Sequence, residues 1–340
     1  MDLSDFQSNT PLTPFNTLHI GGKAQYLFIA AKQSQLFDVL KFTSAHPDLP
    51  FHLLGLGSNV IISDDGLPGL TIINKAIGIK VFPKVYLSNN FSITYTQRKE
   101  NEPEIYLDFS KIDYDESSLP SQEIVIQSGT PLPFAISQTI SLGLTGLQWF
   151  SYIPGTIGGA VFQNVHGGKY HFSDYIVSVK VFNLTTGKTS IFKKSDLSWK
   201  YETSFFLQNP HLVILSVRLR LFKGDTNLAK QVSSAWTVQK SKVQPMNSAG
   251  SVFANPPLEI CQKIWNEQKS TGWIIDHELN LKGFAIGDAQ ISEKHSNFIV
   301  NRGHATAADY YALVKHVQNL VHDRFAFDLI PEVKFLGKFE

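Results

Sequence analysis

Residues 153–164 read IPGTIGGAVFQN, three glycines and a proline set in an apolar run shortly after Trp149 and Phe150. Glycines spaced this closely let backbone N–H groups approach an anionic ligand with no Cβ in the way, so the run suits phosphate held against a protein wall. An upstream partner, LGLGSNVII at 54–62, has the same character: apolar flanks, Gly55 and Gly57, then Ser58 and Asn59 to hydrogen-bond what the loop receives. Neither run is a G-x-G-x-x-G dinucleotide fingerprint, because the third glycine and an amphipathic helix are missing after Gly57. On glycine content alone, a pair of tight turns between strands accounts for either run equally well.

The surrounding composition is that of an ordinary globular chain. With 340 residues and 43% hydrophobic content, the chain can bury a large core divided into two or three domains. Thirty basic against twenty-nine acidic side chains leave a net charge of +1 with no dense Lys/Arg run, which points away from nucleic acid and anionic membrane and toward a small-molecule partner. Cys261 is the single cysteine, so a disulfide framework and a cysteine-rich metal site are excluded. The opening MDLSDFQSNTPLTPF has acidic residues and no apolar core, and no stretch approaches the roughly 18 apolar residues needed to span a bilayer. A cytoplasmic protein, monomeric and without a metal, is the expectation.

Along the chain, 21–30 reads as a strand and 34–46 as a helix burying Leu36, Phe37, Val39 and Leu40. Strands flank the first glycine run, closing a small α+β unit near Asn74. From 77 to 224 strand signals dominate (IGIKVF, IVIQSG, DYIVSVKVFNL, KTSIFKK, HLVILSVRLRLF), interrupted by a helix at 131–144 that opens on Pro131 and stops at Gly143. The polar, turn-rich stretch 85–122 reads as an inserted excursion outside the core. Beyond Asp225 the expected elements are a helix at 227–242, a strand at 249–255, a helix at 257–267 and strands at 286–291 and 297–300. The clearest helix is 306–322, with Tyr310, Leu313, Val314, Val317, Leu320 and Val321 on one stripe. The tail FAFDLIPEVKFLG alternates as strand before and after Pro331. These patterns divide the chain at 1–75, 76–224, 225–325 and 326–340.

Seven stretches in order, NTLHIGGKA, LGLGSNVI, IPGTIGGAVFQN, AGSVFANP, LKGFAIGDAQIS, HSNFIVN and PEVKFLG, carry a family likeness. Over nearly its whole length the chain resembles the UDP-N-acetylenolpyruvoylglucosamine reductases (UDP-N-acetylmuramate dehydrogenases), flavin enzymes of peptidoglycan synthesis. The resemblance implies an α+β fold with a two-part FAD-binding region of the vanillyl-alcohol oxidase type and a C-terminal α+β domain for the sugar nucleotide. It implies that Gly55, Leu56, Gly57, Ser58 and Asn59, together with Ile153, Pro154, Gly155, Thr156, Gly158, Gly159 and Asn164, hold FAD non-covalently. NADPH is then the co-substrate, sharing one cleft with the UDP-sugar, and a separate dinucleotide fingerprint is not required. The short spacing from Phe222 to Ser251 leaves no room for the extra tyrosine-bearing loop of one subtype, so the chain looks like the other.

Reduction of an enolpyruvyl ether needs a hydride at C3, a proton at C2, and stabilisation of the enolate-like charge between the two events. By resemblance Ser251 is the proton donor, Glu332 assists protonation or polarises the substrate carboxylate, and Tyr201, Asn255 and Gln290 bind substrate. Two positions depart from the family pattern. Glu202 stands where the family has an arginine in Tyr-Arg-x-Ser-x-Phe, and His166-Gly167-Gly168-Lys169 replaces a stretch that carries a tyrosine. A carboxylate at 202 has the wrong sign for a developing enolate. Lys200, on the same face as Glu202 if the segment is extended, or Lys169 could restore the cation. Two alternatives stay open: an oxidase or dehydrogenase on another sugar or alcohol, with His166 as a possible flavin tether, and a non-catalytic flavin or UDP-sugar binder.

Overall fold

A computed structural model describes residues 1–87, 114–200 and 203–339, without the Lys200 side chain. Tyr201, Glu202 and residues 88–113 of the excursion therefore lie outside the described residues.

The first unit is a four-stranded sheet built from β1 (Gln7–Pro11), β2 (Lys23–Ala30), β3 (Phe51–Leu54) and β5 (Leu67–Asn74), in the order β1-β2-β5-β3. β2 and β3 both run parallel to β5, and α1 (Gln33–Ala45) crosses between them with Leu36, Val39 and Leu40 buried. Between β3 and β5 lies the first glycine run, followed by the short strand β4 (Val60–Ile62), which does not join this sheet.

The second unit is antiparallel. β6 (Ile79–Tyr86), β7 (Ser121–Gln127), β8 (Ile176–Asn183), β9 (Lys188–Lys193) and β10 (Leu212–Phe222) form one sheet in the order β9-β8-β10-β7-β6. Alternation along β10 sends Val217, Leu219 and Leu221 into the core, while Arg218 and Arg220 face outward and bind Glu123 at 3.1 and 2.6 Å. α2 (Leu132–Ser141), α3 (Ile157–Gln163) and α4 (Thr226–Val243) supply helical elements of this unit, and Ala229, Val232 and Trp236 of α4 belong to its core. Asp225 caps α4 by accepting from the N–H groups of Asn227 and Leu228.

The third unit packs α5 (Leu258–Trp265) and α6 (Ala307–Phe325) with a small antiparallel sheet of β11 (Ala285–Ile286), β12 (Ala289–Ile291) and β13 (Ile299–Asn301). The predicted stripe of α6 is buried at Tyr310, Leu313, Val314, Val317 and Val321. Its core also takes in Leu18, Ile20 and Ile61 from the first unit, and Asp64 accepts from the N–H groups of Ala307 and Ala308, both 2.9 Å, at the α6 N-terminus. The last strand, β14 (Lys334–Leu336), returns to pair in parallel with β4.

The expected α+β class is what is found, with corrections in detail. The excursion does not run from 85 to 122: β6 extends to Tyr86, β7 starts at Ser121, and Glu116 is buried. Glu116 is reconciled with the core by hydrogen bonds from Thr145 Oγ1 and from Gln148 Nε2 (2.8 Å), and burial still pushes its carboxyl above the usual range. The strand expected at 249–255 forms no ladder: Phe253 makes a single bridge to Pro331, the preceding Ser248 makes one to Val300, and Gly250 turns the chain at φ +84°. Residues 286–291 are two short strands, because Gly287 turns the chain between them. In the tail only 334–336 forms a ladder.

Candidate active site

The two glycine runs meet face to face. A Cβ on Gly55 would sit 2.7 Å from Thr156 Oγ1, so that glycine is required for the runs to touch. Ser58 Oγ donates to the Pro154 carbonyl at 3.1 Å and closes the same junction. At Gly57, φ is +62° and a Cβ would collide with the Phe15 carbonyl and with Asn16 Cα, which packs the first run onto the entry to β2. The second run is not a turn alone: after Gly155 it becomes α3, capped by Thr156 Oγ1, which accepts from the Gly159 N–H at 3.3 Å. Its backbone is locked to the segment before α2 by Ile157 N–H to Thr130 O (2.9 Å), Gly158 N–H to Ser128 O (2.8 Å) and Leu132 N–H to Gly155 O (2.9 Å).

Gly158 and Gly159 answer different needs. A Cβ on Gly158 would press within 2.9 Å of Ser128, so protein packing demands glycine there. A Cβ on Gly159 would find only Thr156 Oγ1, 3.7 Å away, its φ is not positive, and it is exposed in the first turn of a helix that alanine would stabilise. Among the described residues only Thr156 comes near this position, which leaves room for a ligand against the backbone. The residues present fit the FAD that the resemblance implies. Asn164 serves the scaffold: it ends α3 at φ 49°, and its side-chain oxygen accepts from the Ser173 N–H at 3.1 Å.

On the opposite side, three distant segments converge. Lys334 N–H donates to Asn59 O (3.0 Å), Asn59 Nδ2 donates to Glu332 O (3.3 Å), and Glu332 N–H donates to Val252 O (2.8 Å). Ser251 and Glu332 are thus placed beside the first glycine run, both half-buried. Among the described residues no hydrogen bond engages the Ser251 hydroxyl. Asn297 fixes the serine segment from behind, with its backbone O accepting from Val252 N–H and its Oδ1 from Phe253 N–H. The other expected substrate contacts have scaffold bonds. Asn255, exposed, accepts from Thr271 N–H at 3.0 Å, and Gln290 Nε2 donates to Gly283 O at 2.8 Å.

In the divergent strip, His166–Gly167 pairs with Tyr170–His171, with the two histidine rings 6.2 Å apart. Lys169 Nζ lies 5.5 Å from the Tyr170 ring, which stacks on Trp149. Asp174 accepts from His171 N–H at 2.8 Å, and burial raises its pKa; Lys194 Nζ reaches its carbonyl at 3.3 Å, and burial lowers that ammonium. Trp199–Lys200 pairs with Thr203–Ser204, and Ser204 Oγ donates to Phe162 O at 2.6 Å, tying this strip to α3. Ser204 and Phe206 are fully buried, so both matched positions serve packing.

An FAD binding domain family matches residues 81–192, and the C-terminal domain of UDP-N-acetylenolpyruvoylglucosamine reductase matches 204–336. A curated reductase of that name from Parasynechococcus marenigrum is 33% identical over 97% of this chain and 96% of its own length. The chain belongs to the UDP-N-acetylenolpyruvoylglucosamine reductase family. The reductase from Prochlorococcus marinus is 31% identical across 99% of this chain and 100% of its own. The crystal structure of the Thermus caldophilus reductase superposes with a TM-score of 0.70 at 25% identity, covering 98% of this chain and all of that one. Among the described residues no helix is long and apolar enough to cross a membrane, and no cluster of three or more His, Cys, Asp or Glu could hold a metal.

Proposed function

We propose that the protein is an FAD-dependent reductase converting UDP-N-acetylenolpyruvoylglucosamine to UDP-N-acetylmuramate with NADPH, a step that supplies peptidoglycan precursor. The observation that carries the reading is the convergence at Asn59: the segment bearing Glu332 is bonded to the first glycine run on one side and to the Ser251 segment on the other. Bound FAD would supply the hydride relay from NADPH to C3 of the enolpyruvyl ether. Gly155, Thr156 and Gly159 with the 55–59 run would hold it through their backbone. The Ser251 hydroxyl delivers the proton to C2, and the Glu332 carboxyl assists that transfer or polarises the substrate carboxylate. Charge on that carboxylate is balanced by Lys200 or Lys169 in place of the arginine that Glu202 replaces.

In this reading 1–75 and 76–224, with α4 packed into the core of the second unit, hold FAD, the rest of 225–325 takes the UDP-sugar with Tyr201, Asn255 and Gln290 as contacts, and 326–340 returns Glu332 to the site. The protein acts as a cytoplasmic monomer, which light scattering on the purified chain checks. The deciding experiment follows NADPH oxidation by purified protein with flavin absorbance at roughly 450 nm. Oxidation must depend on the enolpyruvyl sugar nucleotide; flavin-bound protein that ignores this substrate removes the reading.

A further inference from the structure

Tyr152 immediately precedes the second glycine run and has no part in the sequence expectations. Its φ is +70°, a left-handed conformation that bulky side chains rarely adopt. Among the described residues, four of the other non-glycine residues in that region are asparagines, which tolerate it best, and Tyr152 is the largest side chain there. The conformation is imposed from both sides: Ser151 Oγ bonds to Ser233 Oγ on α4 at 2.8 Å, and Ile153 N–H donates to Phe150 O at 3.3 Å. As a result the phenol reaches Met246, with Oη 3.7 Å from Sδ. Met246 is 80% exposed and sits in the loop that leads from α4 to Ser251. One partner of this contact thus belongs to the flavin-facing segment and the other to the proton-donor segment. Packing does not account for it, since the methionine is in solvent, and strained backbone of this kind persists where a site uses it.

We propose that Tyr152 contacts the sugar nucleotide, closing with Met246 over the ligand as it lies between the glycine runs and Ser251. This rests on the reductase reading. An aromatic face with a phenol at its edge suits a nucleotide, whose base offers a π face and whose diphosphate accepts a hydrogen bond. The thioether adapts its shape to what it covers.

The test is Tyr152→Gly, since glycine accepts φ +70° without strain, with Tyr152→Asn as a second variant in the full flavoprotein. Both are expected to raise KM for the enolpyruvyl sugar nucleotide and the inhibition constant of UDP about two- to tenfold, the scale of one lost aromatic contact. kcat, flavin content and melting temperature should hold, or melting temperature should rise. Tyr152→Phe should retain most of the affinity. Unchanged KM and UDP inhibition in both variants overturn the proposal, as does flavin loss with a lowered melting temperature in both, which would make Tyr152 purely structural. Absence of turnover by the unsubstituted protein removes the reductase reading and this inference with it, whereas turnover with unaltered KM in the variants removes this inference alone.

Discussion

Where the glycine runs meet, the chain is held by backbone pressed on backbone: Gly158 against Ser128, Gly57 against Phe15 and Asn16, and Gly55 against the Thr156 side chain. Ser251 and Glu332, by contrast, rest on irregular segments joined by single hydrogen bonds through Asn59, Val252 and Asn297. In the first region an added atom finds ordinary space only at Gly155, where φ is positive, and at Gly159, while the second leaves a hydroxyl and a carboxyl at partly open positions. Rigidity is concentrated at the proposed flavin wall, and the proposed acid–base groups stand on backbone carrying few constraints beyond its own register. Damage to the wall should therefore cost the fold and the flavin, and damage opposite it should cost the rate.

The sharpest division comes from Ser251→Ala, expected to lower kcat by about 10²–10⁴ with flavin content intact; steady-state kinetics beside an absorbance spectrum measures both, and flavin loss would merge the two regions. Next, Lys200→Ala with Lys169→Ala should reduce kcat about 10²-fold if a lysine balances the substrate carboxylate. Unchanged turnover in that double variant would leave Glu202 uncompensated by either residue. On the wall, Gly57→Ala combines a disfavoured φ with a collision and should destabilise the fold by about 3 kcal/mol, read from urea unfolding, with flavin lost in parallel. Gly159→Ala should do the reverse, stabilising the flavin-free chain by about 0.5–1 kcal/mol while weakening FAD retention. Equal FAD affinity would show that this glycine faces no ligand.

The smallest effect is a pH dependence beneath the wall, at Glu116. Burial raises its folded pKa above the ordinary value of 4.5, so the folded state holds more protons than the unfolded chain between those two values. Its stabilisation is full below pH 4.5 and is lost as pH rises through the folded value. Glu116→Gln should flatten the melting temperature across that window, as thermal denaturation at successive pH values will show.

The elements that sequence made legible are those whose signal is local. β2, α1, the five strands of the antiparallel sheet, α4 and α6 follow from periodicity and caps. The second glycine run hid a helix because Pro154 and three glycines read as turn, and only the cap of Thr156 on Gly159 starts α3 there. Segment 249–255 looked like a strand because Val252 and Phe253 are buried, yet their partners are single bridges. Glu116 looked like surface because nothing near it in sequence announces Thr145 and Gln148. Tyr152 gave no signal, since φ is not written in residue identity when the residue is not glycine.

Taken by itself, the sequence determined the α+β class and, through motifs in order, the family, and it supplied the candidate flavin-facing and acid–base residues. Tertiary structure alone decided which glycine is packed against the protein and which is left open, that Asn59 joins Glu332 to the Ser251 segment, and that Tyr152 reaches Met246. The reason is physical: periodicity and turn chemistry act over a few neighbouring residues and are printed in the chain. Close approach and hydrogen bonding between residues as far apart as 59 and 332 exist only once the sheets have brought them together.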